Sequence, residues 1–176
     1  MHRFRKIMAI ILLLTLLPTC FSCVAAEEGG FLRRLDAPAE LTVSGQRYGV
    51  EFTAAISLGE GEGTMTFLAP ASLEGIGVAT AGGVWNCSLG DLSVAGISAE
   101  LLGAPLAIFT EIGEARSAEK LTDGEGRALT LIVTASGDGS AEYYIDSRSG
   151  YPVSVTQKDS AGVTVMQINI TEYTAK

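Results

Sequence analysis

From Ala39 onward, apolar and polar positions alternate in short runs that end in glycine-containing turns. Leu41-Thr42-Val43 leads into Ser44-Gly45-Gln46-Arg47, which reads as a turn, and Tyr48 to Leu58 reads as one longer strand. Gly59-Glu60-Gly61-Glu62-Gly63 breaks that strand, and alternation resumes over Thr64 to Leu68 until Ala69-Pro70-Ala71-Ser72 ends it. Ile76 to Thr80, Val84 to Leu89 and Leu92 to Ile97 follow, divided by Gly82-Gly83 and Gly90-Asp91, both suited to tight hairpins. The same grammar returns over Ala128 to Ala135, Ala141 to Asp146, Tyr151 to Gln157 and Val163 to Thr171. Short strands joined by glycine-rich turns predict an antiparallel meander.

One segment has a different period. In Ala104 to Ala115, Leu106, Phe109 and Ile112 recur every three residues beside Ile108, and Pro105 sits where a first helical turn tolerates it. This predicts a short amphipathic helix, with Leu101-Leu102 as a further turn before it. Its apolar stripe must be buried, and the concave side of a sheet is the available surface. Several strands carry apolar residues on both faces: Met166, Ile168 and Ile170 lie opposite Val163 and Val165, and Tyr143 and Ile145 lie opposite Tyr144. The expected fold class is therefore mainly β (α+β), an antiparallel meander with one or two short helices packed in the concave face of its sheet. The candidates for an apolar cleft there are Leu106, Phe109, Ile112, Trp85, Tyr143 and Met166.

The start of the chain belongs to a different category. Met1 to Lys6 is basic, and Ile7 to Leu17 is apolar except for Thr15. A run this short, at a rise of about 1.5 Å per residue, falls well short of a hydrocarbon core of about 30 Å, so it reads as an export signal. Ser22-Cys23 resembles the cleavage point of a bacterial lipoprotein, which makes Cys23 the expected lipid-attachment residue, with Cys20 as the alternative. The competing reading is cleavage after Ala26 by ordinary signal peptidase, following Val24-Ala25-Ala26, which would release a secreted or periplasmic soluble protein. The expected layout is a signal peptide over 1–22, a linker over 23–37 and a β domain over 38–174. The expected location is the outer face of the bacterial cytoplasmic membrane. Cys87, far from the leader, reads as a small apolar residue beside Trp85 on a strand.

Charge then excludes partners. The chain holds 12 Lys+Arg, 20 Asp+Glu and a single histidine, His2. Arg3, Arg5 and Lys6 leave with the leader, so the remainder is strongly acidic, which argues against nucleic acid and against unaided binding to anionic lipid. The absence of a histidine beyond the leader removes Ser-His-Asp and Cys-His catalysis and His-ligated metal. Gly59 to Gly63 lacks the lysine of a phosphate loop, and its glutamates repel phosphate. Asp123-Gly124-Glu125-Gly126 and Asp138 resemble fragments of calcium loops without the full ligand set, and read as turns. No catalytic residue, metal ligand or cofactor is expected, and the chain is not read as an enzyme.

Three pieces in order resemble the LolA/LppX-like family of outer-membrane lipoprotein carriers and their relatives. They are Met65-Thr66-Phe67-Leu68-Ala69-Pro70-Ala71-Ser72-Leu73, the helix-bearing stretch Gly103 to Ala115, and Tyr143-Tyr144-Ile145-Asp146-Ser147-Arg148-Ser149-Gly150-Tyr151-Pro152, with the closing Ile168-Asn169-Ile170-Thr171. The resemblance covers roughly residues 38 to 174. It implies a curved antiparallel sheet or half-barrel with helices in its concavity, whose apolar interior accepts acyl chains or docks proteins. The sequence departs from the soluble carriers in its anchor-like leader, in lacking a substantial helix before the first strand, and in having Glu74 where they have an arginine after the Pro70 turn.

The expected function is that of a membrane-anchored extracytoplasmic lipoprotein, non-enzymatic, binding a lipid or an envelope protein through a curved sheet. One alternative is a protein-interaction or sensor lipoprotein with a filled core. Another is a carboxylate-based hydrolase, which would need two close carboxylates in a cleft.

Overall fold

The fold is taken from a computed structural model, and the structure describes residues 38–176. The export signal over 1–22, the linker over 23–37, Cys20, Cys23 and the alternative cleavage point at Ala26 lie outside the described residues.

Eleven strands form one antiparallel sheet. In chain order they are β1 (Ala39–Arg47), β2 (Val50–Gly59), β3 (Glu62–Ala69), β4 (Ile76–Ala81), β5 (Val84–Leu89), β6 (Leu92–Ala95), β7 (Ala115–Thr122), β8 (Ala128–Ser136), β9 (Gly139–Asp146), β10 (Pro152–Lys158) and β11 (Thr164–Ala175). Their spatial order is β6-β5-β4-β3-β2-β1-β11-β10-β9-β8-β7. Each half is thus a meander, and the two meet where the first strand pairs with the last, from Ala39 opposite Ala175 to Arg47 opposite Met166. The sheet is open, with β6 and β7 as its edges.

Alternation decides which face is buried. Leu41 and Val43 on β1 point the same way as Ile56 and Ala54 on β2, Met65 and Phe67 on β3, and Ile168 on β11, and all of these are buried. Tyr143 on β9 and Val155 on β10 continue the same face. The other face carries hydroxyls over β1 to β3, such as Thr42, Ser57, Thr64 and Thr66, and apolar side chains over β8 and β9, where Leu131, Val133 and Tyr144 lie opposite Ile132 and Tyr143.

Between β6 and β7 the chain crosses from one edge of the sheet to the other. It does so through a five-residue π-type turn, Ala99–Gly103, that runs into a single α-helix, α1 (Ala104–Thr110). The helical part contributes about 1.5 Å per residue and the flanking residues at most about 3.4 Å each, which gives a reach of about 42 Å. Ten strand spacings in a flat sheet come to about 48 Å. The crossover is too short for a flat sheet, so the sheet bends and the connection runs through its concave side. Register shifts in five of the ten ladders assist the bend, since each bulge kinks its strand.

Local boundaries differ from expectation in several places, and β11 runs on past Thr171 to Ala175. Ser44 to Arg47 is strand, and the turn falls at Tyr48-Gly49, where both residues have positive φ, as a two-residue hairpin joining Arg47 to Val50 requires. The helix stops at Thr110, where Glu111 leaves helical geometry, and Gly113 beyond it lies against the backbone of Ala135, where a Cβ would stand 2.1 Å from the Ala135 carbonyl oxygen. β7 was not legible as a strand: Arg116, Glu119 and Lys120 interrupt its alternation, as suits an exposed edge.

Candidate functional site

The concave face is built by two walls and the helix between them. Trp85 on β5 is in the first wall. Its ring lies so close to Gly103 that a Cβ there would come within 2.8 Å of Cε3, so glycine lets the crossover enter. The Trp85 indole N–H donates to Glu111 Oε1 at 3.1 Å, which ties the end of the helical segment to the same wall. Further along that wall Gly63 leaves room for the helix, since a Cβ there would meet Thr110 Cγ2 at 2.8 Å and Leu106 Cδ1 at 3.0 Å. The second wall contributes Tyr143 on β9, whose phenol donates to the carbonyl of Ile108 at 2.6 Å. That carbonyl belongs to the last turn of α1, where no helical N–H follows to donate to it. Burial pushes the Tyr143 phenol well above its ordinary pKa, so the hydroxyl remains a donor across the whole working range of pH.

The structure brings the six expected cleft residues together. Leu106, Phe109, Trp85, Tyr143 and Met166 are buried in one core cluster, each with at most 6% of its surface exposed. Ile112 is partly buried against that cluster. A hollow wide enough for an acyl chain would leave its walls with accessible surface, and the first five of these residues have almost none. The helix stripe of Leu106, Ile108 and Phe109 fills the space between the walls. Cys87, on the same face of β5, is a half-buried free thiol.

Two open depressions of about 410 Å³ each have mixed linings, with Phe52 and Pro70 in one and Leu41 and Ile56 in the other beside polar groups. One is bordered by Ser44, Gln46, Glu51, Gln167 and Asn169, the other by Thr42, Ser57, Thr64, Thr66 and Glu172. Among the described residues no three His, Cys, Asp or Glu side chains gather into a metal-binding group. Asp123 and Asp146 spend their carboxylates on turns. Asp123 accepts from the Glu125 and Arg127 amides and from the Arg127 guanidinium, and Asp146 accepts from the Arg148 and Ser149 amides.

Sequence reasoning missed one feature of this face. Leu89, Leu92 and Val94 share the inward side of β5 and β6 with Trp85, yet they lie beyond the reach of the helix and are exposed. The available signal was an uncharged strand next to a two-residue turn, at the end of a meander.

Comparison with known proteins places this curved open sheet and its crossover helix more narrowly. No family model matches the sequence, and no curated protein does either. Solved structures do match in fold. An uncharacterized conserved protein from Thermus thermophilus superposes with a TM-score of 0.60 at 20% identity, over 85% of this chain and 87% of that one. A putative outer membrane lipoprotein-sorting protein domain from Vibrio parahaemolyticus gives 0.51 at 11% identity, over 88% and 93%. MucB gives 0.51 at 15% identity over 85% of this chain, which spans 59% of MucB's length. The chain has a LolA-like fold.

Proposed function

We propose that this chain is an exported, lipid-anchored and non-enzymatic binding protein that docks an envelope protein on its curved sheet and carries no lipid inside it. The observation that carries this reading is the filled interior: Leu106, Ile108 and Phe109 occupy the concavity between Trp85 and Tyr143. The LolA-like architecture supports an extracytoplasmic binding role, and the export signal followed by Ser22-Cys23 supports an anchor at Cys23. An acidic domain would not stay at an anionic membrane on its own charge, and acyl chains add about 0.8 kcal/mol per buried CH₂ to hold it there. The 38–174 β domain is the binding unit, reached through the 23–37 linker.

The test is native mass spectrometry of the full chain purified from its own membranes. The expected spectrum shows an acyl mass on Cys23, lost in Cys23→Ser but kept in Cys20→Ser, and no further lipid. A stoichiometric non-covalent lipid would make the protein a carrier and overturn the reading.

A further inference from the structure

The two edges of the sheet are treated differently. β7 carries Arg116, Glu119 and Lys120, charges that discourage pairing with another strand. β6 reads Leu92-Ser93-Val94-Ala95, with no charge and no proline, and all four residues are exposed. The β5–β6 hairpin turns on Gly90, at φ 56°, and Asp91, a two-residue turn that makes Leu89 and Leu92 a hydrogen-bonded pair. Antiparallel ladders alternate, so Cys87 with Val94 is the next bonded pair, and the bond from the Gly96 amide to the Trp85 carbonyl at 2.8 Å continues the series. The backbone N–H and C=O groups of Ser93 and Ala95 therefore point to the open edge. On the concave face beside them stand Leu89, Leu92 (73% exposed) and Val94 (61% exposed).

The charge around this edge is one-sided. From Tyr48 to Ala115 the chain has eight Asp and Glu residues and no Lys, Arg or His. Glu74, Asp91 and Glu100 belong to that stretch, on segments next to β5 and β6. Arg47, just before it, already donates to the carbonyls of Glu100 and Leu101.

We propose that β6 accepts an added strand: an extended segment of a partner protein, apolar at alternate positions and flanked by lysine or arginine. The backbone groups of Ser93 and Ala95 pair with it, its apolar side chains lie on Leu89, Leu92 and Val94, and its basic flanks meet the acidic half of the sheet. This rests on the protein-docking reading above and gives it a place and a chemistry.

The probe is a fluorescently labelled peptide of alternating valine and threonine with paired lysines at both ends, titrated with the full chain in lipid nanodiscs. Its counterpart has glutamates in place of the lysines. The expected result is saturable binding of the lysine peptide, about tenfold weaker for the glutamate peptide, and weakened by raising salt to about 0.5 M. Ser93→Pro removes an edge N–H that bonds nothing within the sheet, and Val94→Lys adds a charge. Each should weaken binding about tenfold with the circular-dichroism melt unchanged. Equal binding of both peptides, or indifference to both substitutions, overturns the proposal. So does self-association of the wild type that Ser93→Pro abolishes, which would assign the edge to a second copy. A peptide that fails to bind a lipid-free, anchored protein sinks the edge assignment alone, whereas retained lipid sinks the reading beneath it.

Discussion

Tyr143 joins two parts of the molecule through one hydroxyl, because the carbonyl it caps belongs to a helix that has run out of amides. Tyr143→Phe keeps the ring and leaves the Ile108 carbonyl buried without that donor, at an expected cost of about 1–3 kcal/mol in urea unfolding. A loss under a few tenths would mean that water takes over the bond. Asp146 supplies a second residue-scale test. Its carboxyl is held below the ordinary range chiefly by hydrogen bonds from Ser149, then by the Arg148 amide and the Arg127 charge. A group with a depressed folded pKa stabilises above its unfolded value near 3.8 and loses that contribution as pH falls through the folded value. Asp146→Ala should thus lower the thermal midpoint at neutral pH, and the gap to wild type should close as pH is taken below the folded value. A gap that persists in strong acid would show that the carboxylate's charge is not the cause.

At the scale of elements, the crossover helix is short, and isolated helices of its length are not stable in water. Its existence depends on the walls. Leu106→Ala or Phe109→Ala should each cost about 3–5 kcal/mol, the range for large-to-small changes at fully buried sites, read by denaturant titration. A cost below about 1 kcal/mol would mean that the interior is looser than the burial of these residues indicates. Gly113→Ala should destabilise by about 1–3 kcal/mol, since its Cβ would collide with the Ala135 backbone and either the helix exit or β8 must move. The helix, the hairpins at Gly82-Gly83 and Gly90-Asp91, and most strands were legible along the chain, because a three-residue apolar spacing and glycine turns are local signals. β7 was not, since its half-buried positions Ala115, Ala118 and Leu121 recur every third residue, without the alternation that marks a strand. The shift of the first turn from 44–47 to Tyr48-Gly49 has a different cause. Gly45 sits mid-strand because Phe52 and the Gln167 carbonyl fill the space where a Cβ would stand, 2.8 Å and 2.6 Å away, and that reason lies across the sheet.

At the scale of the whole molecule, two meanders share one seam, and the crossover locks them into a curve. Stability should be highest where the seam lies. In hydrogen exchange, amides of β1, β2 and β11 are expected to protect longest, and those of β6 and β7 to exchange first. Early exchange at the β1–β11 pairing would mean that the halves separate before the edges fray.

The sequence alone settled what depends on neighbours along the chain: most strand and helix periods, most turns marked by glycine, the acidic balance and the confinement of histidine to His2. The order of two turn motifs and the helix-bearing stretch between them also pointed to the right fold. Whether the curved sheet stays hollow was decided only in three dimensions, because it depends on matching the volume of Leu106, Ile108 and Phe109 to walls contributed by strands far away in sequence. The exposed edge at β6 was settled the same way. Alternation says which side of a strand is apolar, but only the reach of the crossover decides how much of that side is covered.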